Sequence, residues 1–275
     1  MHATITGLHI YPVKSCGGIS VAAAEISARG LAHDREWMVV DAEGQFLTQR
    51  ALPRMALVET ALTPDTLRLS APGRSGTLEV SLAERDLPRC RVRVWSDDCE
   101  ALDEGDAAAE WFSAFLGKPA RLVRFDSAHR RLSSREWTRG ADAENRFSDA
   151  YPLLVISGES LDELNRRLDA PLPMNRFRPN IVIHGLGPHG EDRLNVLSAD
   201  GCEIRLVKPC VRCSITTTDQ TTAEVGKEPL RTLATYRRDE ILKGVTFGMN
   251  GIITAGAGTV LAVGTCLNAS AGSGQ

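Results

Sequence analysis

Between Glu36 and Ser96 the sequence is cut into short apolar runs by turn residues, a spacing that leaves little room for helices. Glu36–Asp41, Met55–Leu62, Thr66–Ser70, Thr77–Leu82 and Arg91–Ser96 read as strands, with turns at Asp41-Ala42-Glu43-Gly44, Pro64-Asp65 and Pro72-Gly73. Strands in such succession predict a barrel or a sandwich. A further run, Ile5, Leu8 and Ile10, precedes Tyr11-Pro12. Near the other end no charge appears after Lys243, but Gly248, Gly251, Gly256, Gly258 and Gly264 interrupt the stretch. A spanning helix wants about 20 predominantly apolar residues, so Gly251–Thr254 and Thr259–Val263 read instead as buried strands and no membrane association is expected.

Three helices stand out. Asp106 is placed to cap a helix through Ala107–Leu116, stopped by Gly117 and Pro119. Ser160-Leu161-Asp162-Glu163 has the form of a capping box before Leu164 and Leu168. Pro229 suits the first turn of a helix through Leu230, Leu233 and Tyr236. The expected fold is therefore α+β and β-rich. At 275 residues the chain has room for two modest domains or one large one. The seam is expected between 117 and 150, where Lys118–Arg139 holds seven Lys and Arg against Asp126 and Glu136. That run is either a solvated connector or a basic rim over an anion pocket. Asn268–Gln275 reads as a disordered tail.

Charge narrows the partners. A net charge of -3 and a pI near 6.1 give no field for nucleic acid or anionic membrane, and 5% aromatics argue against a base-stacking platform. Seven cysteines, an odd and scattered set, do not make a disulfide framework. The N-terminus lacks the basic-then-apolar layout of a signal peptide. A reducing, cytoplasmic setting is expected.

The most informative segment is Lys208-Pro-Cys-Val-Arg-Cys-Ser-Ile-Thr-Thr-Thr-Asp219. Cys210-x-x-Cys213 by itself has several readings. Zinc wants four ligands, and the other Cys and His are scattered. A redox pair wants a helix N-terminus, whereas Ser214–Thr218 is β-branched and favours strand. A single thiolate ligand to a soft metal, sharpened by Arg212, is a third reading, and two buried cysteines a fourth.

Cys-x-Arg-Cys-x-x-Thr-Thr, as it stands at 210–217, resembles the signature of MOSC domains of the mitochondrial amidoxime-reducing component type. The resemblance runs from about Ile5 to Val263. Tyr11-Pro-Val-Lys-Ser15 and His33-Asp-Arg-Glu-Trp37 resemble the family's N-terminal β-barrel domain. Asp149-Ala-Tyr-Pro-Leu-Leu-Val-Ile-Ser157, Arg176-Phe-Arg-Pro-Asn180, Lys227-Glu-Pro-Leu230 and Phe247-Gly248 resemble landmarks of the MOSC domain. The resemblance implies an N-terminal β-barrel domain over 1–117, a MOSC β-barrel with peripheral helices over 118–268, and a tail over 269–275.

It also implies a molybdenum cofactor, with Cys213 as catalytic metal ligand and Cys210 not a ligand. Lys14, Ser15, Arg35, Asp149, Arg178, Asn180 and Arg212 are the implied cofactor-binding residues, Asp149 being also a candidate proton donor on chemical grounds. The implied activity is reduction of N-hydroxylated compounds (amidoximes, hydroxylamines, N-hydroxylated bases). Electrons would come from a separate protein, a ferredoxin or flavoprotein reductase, since the chain has no ferredoxin-type cysteine spacing or dinucleotide motif. The alternatives are a cofactor or sulfur carrier without turnover, and a thiol-redox protein. Gly248-Met249-Asn250 departs from the tyrosine-bearing version of the mitochondrial proteins, which bears on the pocket mouth.

Overall fold

In the computed structural model, which describes residues 1–83 and 86–271, seven strands close into a barrel. Their order is Leu153–Ser157, Ile181–His184, His2–Ile10, Cys266–Ala271, Leu194–Ala199, Cys202–Val211 and Gly244–Ala255, and Leu153↔Gly251 pairing joins the last to the first. Only Leu153–Ser157 and Ile181–His184 run parallel, and the helix Gly158–Asn165 lies in the connection between them, as a parallel crossover requires. The first strand buries Ala3 and Ile5, then Leu8 and Ile10. A register shift between Ile5 and Gly7 moves the alternation by one residue, so both halves still face the barrel core.

Seven further strands build a second body. Trp37–Val40, Arg121–Phe125, Asp97–Asp103 and Arg89–Val94 form a four-stranded sheet, and Glu59–Leu62, Thr66–Ser70 and Leu78–Ser81 a three-stranded one. The helix Asp106–Leu116 packs Trp111, Phe112 and Phe115 into a core with Trp37, Val39, Leu67 and Leu122. The opposite face of the four-stranded sheet buries Met38, Val40, Val92, Val123 and Phe125. Trp37–Val40 is thus covered on both faces, which is why its four residues are all apolar. Strand makes up 41% of the protein and helix 14%, the β-rich α+β class expected. Among the described residues no helix is long and apolar enough to cross a membrane.

Arg121–Phe125, just past the expected boundary at 117/118, pairs with Trp37–Val40 and Asp97–Asp103, and His2–Ile10 pairs into the closed barrel. Several expectations are corrected. Asn268–Ala271 are not tail: they pair with Leu194–Ser198, while 272–275 lie outside the described residues. Within Met55–Leu62 the first part is the 3-10 turn Pro53–Leu57. Gly105, not Asp106, is the N-cap of Asp106–Leu116. Ser157, not Ser160, caps Gly158–Asn165, its hydroxyl accepting from the Ser160 N–H at 3.3 Å. Pro229 is the N-cap of a helix that runs only over Leu230–Leu233.

Candidate active site

A cavity of about 260 Å³ opens where the loop after the first strand meets the barrel, and all eight expected site residues line it: Lys14, Ser15, Arg35, Asp149, Arg178, Asn180, Arg212 and Cys213. They arrive from five separate stretches of chain. Ser15, Arg35 and Arg178 have φ of 67°, 45° and 55°, a left-handed conformation that non-glycine residues adopt at a cost and that clusters at functional sites.

The floor is a stack of cations on one ring. The guanidinium of Arg35 lies 4.3 Å from the Tyr11 ring centroid and that of Arg178 lies 4.2 Å from it. Tyr11 donates to the Pro179 carbonyl at 3.1 Å, and burial pushes its hydroxyl up to about 12 against the pull of the arginines. Arg35 Nη1 donates to both carboxylate oxygens of Asp34, at 2.7 and 2.6 Å. Arg178 has no carboxylate partner among the described residues; burial and then Arg35 lower it to about 10. Its Nη2 is buried without a hydrogen bond, as is Nε of Arg212.

Asp149 anchors the opposite wall. Lys14 Nζ donates to its Oδ1 at 2.5 Å and to the Phe147 carbonyl at 2.6 Å. Burial lowers the Lys14 ammonium, with Asp149 opposing that shift. Burial works against the charged form of Asp149, yet Lys14, Arg50 and the Trp95 indole together hold its carboxyl well below the usual range. Asp149 is therefore held as a carboxylate at neutral pH. Beneath it, buried Arg131 donates through Nη1 to Asn145 Oδ1 and to the carbonyls of Arg146 and Ser148, at 2.5, 2.8 and 2.6 Å. Its Nη2 reaches the Asp149 carbonyl at 3.2 Å.

The motif itself departs from the sequence expectation. Cys202–Val211 is strand, but Ser214–Thr217 is a 3-10 turn whose Thr216 and Thr217 hydroxyls donate to the Cys213 and Ser214 carbonyls, at 2.9 and 2.8 Å. Local side-chain bonds of this kind compete with strand pairing. The cation beside Cys213 is not Arg212. Arg212 donates Nη1 to Cys210 Sγ at 3.0 Å and Nη2 to the Phe177 carbonyl at 2.7 Å. Cys213 Sγ instead accepts from Arg50 Nη2 at 3.2 Å.

Asn180 lines the cavity with its amide committed elsewhere. Its Oδ1 accepts from the Leu154 N–H at 3.1 Å and its Nδ2 donates to the His9 carbonyl at 3.2 Å, tying three strands. The basic run 118–139 makes no rim. Arg121 and Arg124 pair with Asp103, Asp106 and Glu104, and Arg130 and Arg135 with Glu144 and Asp142. None of its residues lines the cavity.

Sequence reasoning missed Arg50, Trp95, Gln49 and Gln220. Gln49 and Gln220 exchange amide hydrogen bonds of 3.1 and 3.0 Å, and Gln49 also donates to the Ser15 carbonyl at 2.8 Å. No local pattern could have marked them, because the contacts that bring each to the site join residues more than 30 positions apart.

Residues 2–119 match the MOSC N-terminal beta barrel domain and residues 142–265 the MOSC domain. Over 242 residues the chain is 39% identical to mitochondrial amidoxime-reducing component 1 of Mus musculus, covering 85% of this chain and 71% of that protein. The Homo sapiens protein of the same name is 37% identical over 244 residues, covering 86% and 72%. Molybdenum cofactor sulfurase of Oryza sativa subsp. japonica is 34% identical over 267 residues, but the match covers 89% of this chain and only 32% of that protein.

Proposed function

Because this chain belongs to the family of MOSC proteins with an N-terminal β-barrel domain, which includes the mitochondrial amidoxime-reducing components, we propose that it is a molybdenum-cofactor-dependent reductase of N-hydroxylated compounds. Its electrons come from a separate protein.

The observation that carries this reading is one cavity holding the Cys213 sulfur together with two arginines, Arg178 and Arg212, whose buried Nη2 and Nε lack partners. Unpaired buried guanidinium N–H groups are costly unless an acceptor arrives, and an anionic, oxygen-rich ligand supplies acceptors. Among the described residues no group of three His, Cys, Asp or Glu side chains is placed to hold a metal ion. A metal at Cys213 must therefore bring its remaining ligands with it, which suits a metal carried on a sulfur-rich organic cofactor. The residues fit such a group.

In this reading Cys213 supplies the protein's thiolate. Arg178 and Arg212 take the cofactor's anionic oxygens, with Lys14, Ser15 and Arg35 around them. The bound cofactor supplies the two-electron chemistry that removes oxygen from an N–OH group. Asp149, held ionised by Lys14, serves as a fixed negative wall that accepts hydrogen bonds. Tyr11 keeps its proton and separates the two arginines sterically while attracting both.

The test is metal and pterin analysis of protein made in a cofactor-competent host, followed by turnover of an amidoxime. We expect about one molybdenum per chain and reduction driven by a viologen dye, with none from NADH alone. Full molybdenum loading without turnover by any reductant overturns the reductase in favour of a carrier. Absence of molybdenum overturns both.

A further inference from the structure

Arg50 lies outside every motif that carries the family resemblance, yet three contacts fix its side chain at the site. Its Nη2 donates to Cys213 Sγ at 3.2 Å and lies 3.4 Å from Asp149 Oδ2. Its guanidinium stacks 4.5 Å from the Trp95 ring centroid, and the Trp95 indole N–H reaches Asp149 Oδ1 at 3.3 Å. The backbone is fixed too: the Arg50 N–H donates to Thr48 Oγ1 at 2.9 Å, and neighbouring Gln49 is 1% exposed. Trp95 sits at φ 58° as the first residue of the two-residue turn joining Arg89–Val94 to Asp97–Asp103, the conformation such hairpin turns take.

We propose that Arg50, seated on Trp95, is the positioning residue that sets the direction of the Cys213 sulfur and ties it to Asp149. This rests on the reading of Cys213 as a metal ligand. A planar guanidinium can turn one nitrogen to a sulfur and a carboxylate while its face lies flat on an indole, a stacking that an ammonium lacks. A charge-assisted N–H···S bond draws electron density from the sulfur and constrains its lone pairs, as outer hydrogen bonds do for ligands in general. Arg212, adjacent in sequence, points its two terminal nitrogens elsewhere, to Cys210 Sγ and the Phe177 carbonyl.

The test uses the full-length, cofactor-loaded protein and compares Arg50→Lys, Arg50→Gln and Trp95→Phe with wild type. Molybdenum content, the sulfur-to-metal charge-transfer band and the kcat-against-KM split are read on each. We expect metal content to stay near wild type and the band to move in both Arg50 variants. We expect kcat to fall by roughly 10-fold to 100-fold with KM little changed. Trp95→Phe, which keeps a platform and loses the indole N–H, should lie between. An unmoved band at full loading, with wild-type kcat, overturns the positioning role and leaves the reductase reading intact. Loss of molybdenum from all three variants also overturns it, making Arg50 a binding group instead. A wild-type protein without molybdenum overturns the reductase reading itself, and this role with it.

Discussion

At the scale of single residues, the two cysteines of one motif have been given different surroundings. Cys213 sulfur faces a cation from a distant segment, whereas Cys210 takes the cation beside it in sequence and packs partly among Phe177, Phe247 and Leu233. Cys213→Ser should therefore abolish turnover and the charge-transfer band. Cys210→Ser should keep the band and lose no more than a few-fold in activity, since it removes one weak sulfur acceptor. Metal analysis and steady-state kinetics on the two variants check this, and equal loss from both would restore the paired-thiol reading. The residue types at the site were legible in the sequence through ordered motifs. The pairing of Arg50 with Cys213 was not, because a hydrogen bond across 163 positions leaves no trace in local spacing.

The elements show how a short turn fixes a crossover. Glu191, in the 3-10 turn Gly190–Arg193, is fully buried and accepts from the Ser157 N–H at 3.2 Å and from the Ser160 hydroxyl at 2.9 and 2.8 Å. Ser157 caps the crossover helix, so the turn, the cap and the strand Leu153–Ser157 are one unit. Burial, then the Asp192 charge, pushes the Glu191 carboxyl from its ordinary 4.5 up to about 7. The folded protein thus binds this proton more tightly than the unfolded chain does. Its contribution to stability is complete below pH 4.5, declines as pH rises, and is gone above about pH 7. Glu191→Gln should flatten that decline, measured as urea midpoints across the same interval; an unchanged slope would assign the dependence to other groups. The capping-box pattern at Ser160 was in the sequence, but the true cap lies three residues earlier because Ser160 is drawn to Glu191.

For the whole molecule, the order of elements in space is not their order in sequence. The first strand completes the barrel built mainly from residues beyond 150, and the chain then leaves it to form the second body. Lys14 and Ser15 sit at that departure point, so the cavity lies where the two bodies exchange chain. Fragments 1–117 and 118–275 should each fail to fold alone. The first loses Arg121–Phe125 from its sheet and the second loses His2–Ile10 from its barrel. Co-expression should restore a folded complex with a cooperative thermal transition. A sharp transition in isolated 118–275 would show that the barrel does not need its first strand.

The sequence by itself determined the β-rich class and the positions of most strands, because alternation and turn residues are local properties, and its resemblance to a known family marked residues that face the cavity. Tertiary structure alone decided which cation meets which sulfur, which serine caps the helix, and that the first strand closes the distant barrel. Those outcomes depend on burial and on partners far apart in the chain, where competing hydrogen bonds of similar strength are settled only by the space that folding leaves.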